Sequence, residues 1–160
     1  MRAWAEAEIK PQLNSALPLL YLFGGRDFVT AYLLYPAAPS YVLCGLEPIG
    51  LTPNLEQMTE AQIGAVLRDL RGAVRTVLRL SFFVTEEMNT DLNRGEFHGV
   101  LPLLYVFLAR TNNKIEEVKY LRLSSSGQVE EMPASVLAGD GIDGVKIRFV
   151  QQGESKTQDL

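Results

Sequence analysis

The chain has one cysteine, Cys44, so neither an intramolecular disulfide framework nor a multi-cysteine zinc pattern can form. That scarcity fits a reducing cytosol, the default expectation, and fits a disulfide-free protein of the bacterial envelope equally well. The single histidine, His98, is too few for the usual histidine metal sites, and no GxSxG-like elbow accompanies it to build a nucleophilic triad. No apolar run reaches the roughly 18 residues of a membrane span. Glu6 and Glu8 interrupt the first residues, so no apolar leader is expected there. Lys and Arg number 15 against 19 Asp and Glu, a net charge of −4; this removes any chain-wide attraction to nucleic-acid phosphates or anionic membranes.

Apolar mass, by contrast, is plentiful. With 160 residues, 47% of them hydrophobic, the chain can fill the core of one α/β domain spanning 1–160, with a leading segment at 1–16 and a polar tail at 151–160. The leading segment reads as helical from Arg2 to Lys10, with Pro11 ending it.

The rest is organised around Leu19-Leu20-Tyr21-Leu22-Phe23-Gly24-Gly25-Arg26-Asp27 and the segment after it. The apolar run from Pro18 to Phe23 reads as a strand buried on both faces. Gly24-Gly25 turns the chain and Asp27 stands where it can cap a helix starting at Phe28. Pro36 and Pro39 close a crossover long enough to bring Tyr41 to Leu46 back in parallel. This is a βαβ unit.

Downstream, Thr59 and Gln62 fit a capping box, and Ile63, Val66, Leu67, Leu70, Val74, Val77 and Leu78 recur at helical spacing, predicting a long helix packed along that stripe. Ser81 to Thr85 reads as a short strand. Val100 to Ala109 is apolar all round and reads as a buried helix ended by Asn112-Asn113. A strand is the rival there, because Leu101 to Phe107 repeats Leu17 to Phe23 with only Val106 for Leu22. Val118 to Leu123 and Gln128 to Met132 flank a Ser-Ser-Ser-Gly turn and predict a hairpin. Val145 to Phe149 alternates as a strand with one wet face.

In an open parallel sheet, ligands bind beyond the carboxyl ends of the strands. Gly24, Gly25, Arg26 and Asp27 end the first strand and Glu47 ends the second, 23 places after Gly24. That offset is close to the roughly 20 residues at which an acid takes ribose hydroxyls in dinucleotide-binding folds. The stretch from about residue 18 to 50 resembles the first βαβ of class I S-adenosylmethionine-dependent methyltransferases, with Leu20 to Gly25 and Val42 to Glu47 standing where that family has its glycine-rich turn and its ribose acid. The resemblance implies Gly24 and Gly25 beside a cofactor and Glu47 on its ribose, with Asp27 on the same rim. S-adenosylmethionine, NAD and ATP are the ligands to consider, and a transferase is the activity to consider. The same residues also read without any ligand, as a tight turn, an N-cap and a solvated acid.

Arg68, Arg71, Arg75 and Arg79 fall within about an 80° arc of the main helix at about 100° per residue, either an anion-binding stripe or a solvated shoulder. Cys44 reads as a small hydrophobe inside a strand. Glu86, Glu87, Asp91 and Glu96, and likewise Asp140 to Gly144, miss the spacing of a calcium loop. The expected architecture is a three-layer Rossmann-like α/β sandwich with a mixed sheet, short enough of strands to suggest truncation. Two functional classes follow: a small-molecule, nucleotide-like site at the Gly24–Asp27 and Glu47 rim, or a non-catalytic interaction module of a larger protein or assembly.

Overall fold

A computed structural model describes residues 2–14, 16–22, 24, 27–45, 48–52, 54–79, 99–133 and 144–160. The leading segment is helical, but its three-residue α1 (Arg2–Trp4) passes into a π turn at Ala5–Ile9 and a 3-10 turn at Lys10–Gln12. Pro11 falls in the first turn of that last piece, where its missing N–H is tolerated. It therefore does not end the helix at Lys10.

The βαβ unit forms as its spacing predicts. Strand β1 (Leu19–Tyr21) pairs in parallel with β2 (Tyr41–Leu43), Leu19 opposite Tyr41 and Tyr21 opposite Leu43. Between them α2 (Phe28–Leu34) starts directly after Asp27. Leu20 is 67% exposed and Leu22 74%, so β1 buries one face rather than two. The two-stranded sheet leaves the other face open.

Helix α3 (Glu60–Arg79) opens with the expected capping box: the Thr59 N–H donates to Gln62 Oε1 at 2.8 Å and the Gln62 N–H to Thr59 Oγ1 at 3.4 Å. Val66 is buried, and Leu70, Ala73 and Val74 pack against the core. Leu67 is 58% exposed, because it lies about 100° around the helix from Val66, at the far edge of the packed arc. The side chains of Val77 and Leu78 lie outside the described residues. Arg68, Arg71 and Arg75 are solvent-exposed, as a solvated shoulder would be.

Helix α4 (Leu101–Arg110) resolves the helix-or-strand ambiguity in favour of helix. The Val100 and Leu101 N–H groups donate to the carbonyls of Pro48 and Ile49, each at 2.9 Å, so a loop supplies the acceptors that the first turn of a helix lacks. Asn112 then takes φ 63°, the left-handed stop that asparagine tolerates. Leu101, Leu103, Leu104 and Leu108 are all but fully buried. Among the described residues no helix is long and apolar enough to cross a membrane.

The second sheet has β3 (Asn113–Leu123), β4 (Val129–Met132), β5 (Gly144–Gln151) and β6 (Thr157–Asp159), all antiparallel in the order β4-β3-β5-β6. The hairpin and the alternating strand stand where the sequence puts them. The polar tail holds a strand that the sequence reading did not place: Thr157 to Asp159 pairs with Arg148 to Val150.

The three-layer sandwich with a mixed sheet is therefore wrong. The parallel pair and the antiparallel strands are two separate small sheets, joined among the described residues by an isolated parallel bridge between Ser40 and Asp159. A doubly wound sheet grows by further βαβ crossovers. Here the later strands are instead antiparallel, the β3–β4 turn being too short for any other pairing. Helices α2, α3 and α4 contribute to one core with Tyr41, Tyr120, Ile147 and Phe149 from the two sheets.

Candidate functional site

Of the five residues expected at the rim, Gly24 and Asp27 are described, while Gly25, Arg26 and Glu47 lie outside the described residues. The Asp27 N–H donates to the Gly24 carbonyl at 2.9 Å, closing a tight turn. Asp27 occupies the N-cap position of α2 without a side-chain capping bond, its backbone already being in the helical region, and it is 8% exposed. Its charge bears on Tyr21: burial first, then Asp27, then Tyr35 push that phenol above its ordinary value. Asp27 is thus part of the local packing.

Neither Gly24 nor Asp27 lines the cavity of about 640 Å³ that opens beside β2. One wall of that cavity is Ser40 to Gly45, running out past the carboxyl end of β2, and another is Gly144 to Lys146 at the start of β5. Val100 and Leu104 of α4 line it too, with Asp159 and Leu160 at β6. Cys44 is exposed on the first wall, not enclosed in a strand as expected.

The backbone directions at this cavity follow from the hydrogen bonds around it. Ile147 and Leu160 exchange both of theirs, at 2.6 and 2.8 Å, so Ile147 points its N–H and C=O towards β6. In an antiparallel ladder the residues facing one neighbour alternate, and Val145 is the next to face that way. On the other wall, the Asp159 N–H donates to the Pro39 carbonyl at 3.2 Å and the Leu19 N–H to the Ser40 carbonyl at 2.8 Å. Ser40 and Val42 therefore turn their backbone groups to β1, whereas Pro39, Tyr41 and Leu43 turn theirs towards β6. By the same alternation the backbone groups of Leu43 and Val145, both lining the cavity, turn to the side on which β6 lies.

The outer face carries the charges. Asp159 accepts from Lys146 Nζ at 2.9 Å and from Arg148 Nε at 3.0 Å, and Arg148 also approaches Glu117 at 3.7 Å. Burial works to raise the Asp159 pKa, but the Lys146 and Arg148 hydrogen bonds and charges outweigh it and hold the carboxyl below its usual range. A depressed folded pKa gives stability that is present above the unfolded value, about 4, and is lost as pH falls through the folded one. Asp159→Asn is therefore expected to cost about 1 kcal/mol at pH 7 and less at pH 3. Urea unfolding at the two pH values checks this, and an equal cost at both would remove the ion pairs as its cause.

The loop after β2 is fixed as well. Thr52 Oγ1 is hydrogen-bonded to the Tyr105 hydroxyl and lies 3.3 Å from that of Tyr120, which also accepts from the Thr52 N–H at 3.3 Å. Burial raises the Tyr105 phenol, an effect the Thr52 bond partly offsets. With Pro48 and Ile49 bound to the start of α4 and also lining the cavity, the loop is a built wall.

Sequence reasoning missed β6 and, with it, the facing edges. The available signal was the alternation Thr157-Gln158-Asp159-Leu160. It is hidden because the inward residue, Gln158, is polar: it is 6% exposed and donates to the carbonyls of Pro36 and Ala38 at 3.0 and 2.6 Å. Among the described residues no cluster of His, Cys, Asp and Glu could hold a metal ion. His98, Glu86, Glu87, Asp91, Glu96, Asp140 and Asp143 lie outside them. Comparison of the chain with protein-family models, with curated proteins and with solved structures found no match.

Proposed function

We propose that this domain is a non-catalytic interaction module that takes an extended strand of another polypeptide into the cavity between β2 and β5. One observation carries the proposal: the cavity lies between two strand edges whose backbone donors and acceptors, at Leu43 and Val145, point into it. Strand addition uses main-chain hydrogen bonds for affinity and side-chain pockets for choice of partner. Apolar side chains of Leu43, Val100, Leu104 and Val145 offer such a pocket.

The test keeps the protein unaltered and changes the ligand. A fluorescent peptide of about seven residues with an apolar centre should bind the full chain. N-methylation of its central residue should weaken binding by about 1–3 kcal/mol, because a wall carbonyl then loses its donor. Equal binding of both peptides by anisotropy would defeat strand addition.

The cavity volume of about 640 Å³ also falls in the range of small-molecule sites, which favours the nucleotide-like ligand as a second reading. S-adenosylmethionine, NAD and ATP belong in the same titration. Binding of one of them, weakened by Glu47→Gln and unaffected by the peptide, would support that reading instead.

A further inference from the structure

We infer that the chain has a second ligand site, on the far side of β6 from the β2–β5 cavity, and that it takes a small zwitterion, a free amino acid with an apolar side chain. The site is a cavity of about 380 Å³ between the leading helical segment, the end of α2 and the connection from β5 to β6. That volume falls in the range of small-molecule sites. The two cavities share no lining residue, so this inference does not rest on strand addition.

What points to a ligand is an acceptor left open on a buried side chain. Gln158 is 6% exposed, and its amide nitrogen donates to the carbonyls of Pro36 and Ala38. Two carbonyl acceptors require the nitrogen on that side, so Oε1 is turned away from them. Among the described residues nothing donates to this oxygen, although no fully enclosed side-chain oxygen or nitrogen lacks a partner. Oε1 therefore keeps an open surface, and the cavity is what Gln158 lines. A donor from a ligand would complete it.

Charges of both signs stand beside that oxygen. Lys156 is two residues before Gln158, so alternation puts both on one side of β6, and both line the cavity. The Lys156 Nζ lies 3.5 Å from the carbonyl of Ala37, another lining residue. Glu154, also lining, stands in the connection before it. Among the described residues neither Glu154 nor Lys156 makes an ion pair, whereas Glu6 and Lys10 on the opposite wall neutralise each other at 2.7 Å. The lining thus offers one free carboxylate and one free ammonium. A net anion or a polyamine meets a like charge there, and a molecule with one charge of each sign does not.

Each group then has a role. The ligand's ammonium donates to Gln158 Oε1 and Glu154, and its carboxylate accepts from Lys156, which keeps further donors besides the one near Ala37. Ala5, Leu13 and Leu33 line the same cavity and receive the apolar side chain.

Isothermal titration of the full chain tests this with three probes of similar shape: L-leucine, L-leucinamide, which has no carboxylate, and 4-methylpentanoate, which has no ammonium. L-Leucine should saturate the site, with each of the other two about tenfold weaker for the loss of its charge-assisted bonds. Glu154 and Lys156 are exposed, so replacing them leaves the fold standing, as circular dichroism would verify. Lys156→Gln should bring L-leucine down to the affinity of L-leucinamide. Glu154→Gln should weaken L-leucine about tenfold without weakening 4-methylpentanoate. No binding of L-leucine at millimolar concentration would overturn the site. Equal affinity for L-leucine and either analogue would overturn the zwitterion, and L-leucine binding that neither substitution changes would place the ligand elsewhere and overturn the assignment.

Discussion

Gly99→Ala is expected to lower stability by roughly 3–5 kcal/mol, a loss at the severe end for a single methyl group. Gly99 has φ 81°, where a side chain costs about 1–3 kcal/mol by itself. A Cβ there would also lie against Gly50 N, Ile49 C and the Pro48 carbonyl oxygen, closer than real Cβ atoms come to other atoms. These are backbone atoms, so no side-chain rotation relieves the contact. Moving the loop away would strip the Val100 and Leu101 N–H groups of the Pro48 and Ile49 carbonyls, at about 0.5–1.5 kcal/mol for each bond. Urea unfolding of the variant measures the loss. A value under about 1 kcal/mol would show that loop and helix separate without penalty. Because Pro48 and Ile49 also line the cavity, peptide binding should weaken in the same variant.

Phe149→Ala is expected to cost a similar amount, roughly 3–5 kcal/mol, for a different reason. Phe149 is fully buried, and its ring lies 6.0 Å from Phe28, 6.2 Å from Tyr32 and 6.4 Å from Tyr41. Phe28 and Tyr32 belong to α2, Tyr41 to β2 and Phe149 to β5, so this one side chain joins the βαβ unit to the antiparallel sheet. Removing it leaves a cavity that three anchored elements cannot collapse around. Tyr41 is held by the bond from its hydroxyl to the Tyr35 carbonyl at 2.6 Å, and Tyr32 lies within hydrogen-bond reach of Asn113 and Gln151 at 3.3 and 3.4 Å. Phe149→Leu should cost less than half as much, since most of the buried volume is kept. Thermal unfolding of the two variants tests the account, and equal losses would point to ring contacts in place of volume.

The candidate site was legible only in part. The crossover spacing led to the carboxyl end of β2, and the cavity does open there. The residues chosen, Gly24, Gly25, Asp27 and Glu47, were those that a nucleotide site would use. Of these, the two described residues belong to the turn after β1 and do not line the cavity. Its walls bring together residues of β2, the loop after it, α4 and β5, which are far apart in the chain and share no local pattern. Lys146 and Asp159 gave no local signal either, because they meet only through the β5–β6 pairing.

Some of the fold was settled by sequence alone. The capping box and apolar spacing gave α3, the Ser-Ser-Ser-Gly turn gave the β3–β4 hairpin, and the length of the crossover gave the parallel pairing of β1 and β2. Each signal acts between residues close in the chain or through the geometry of one connection. Tertiary structure decided the rest, as two nearly identical heptapeptides demonstrate. Leu17-Pro18-Leu19-Leu20-Tyr21-Leu22-Phe23 contains strand β1, whereas Leu101-Pro102-Leu103-Leu104-Tyr105-Val106-Phe107 lies in helix α4. Local propensity is the same for both, so it cannot choose between them. The second copy has Pro48 and Ile49 carbonyls at its start, Asn112 as a left-handed stop, and core packing around most of its surface. The first has β2 alongside to complete its hydrogen bonds and keeps Leu20 and Leu22 in solvent. What separates them is which long-range partner satisfies the backbone, and a single strand of sequence carries no record of its partner.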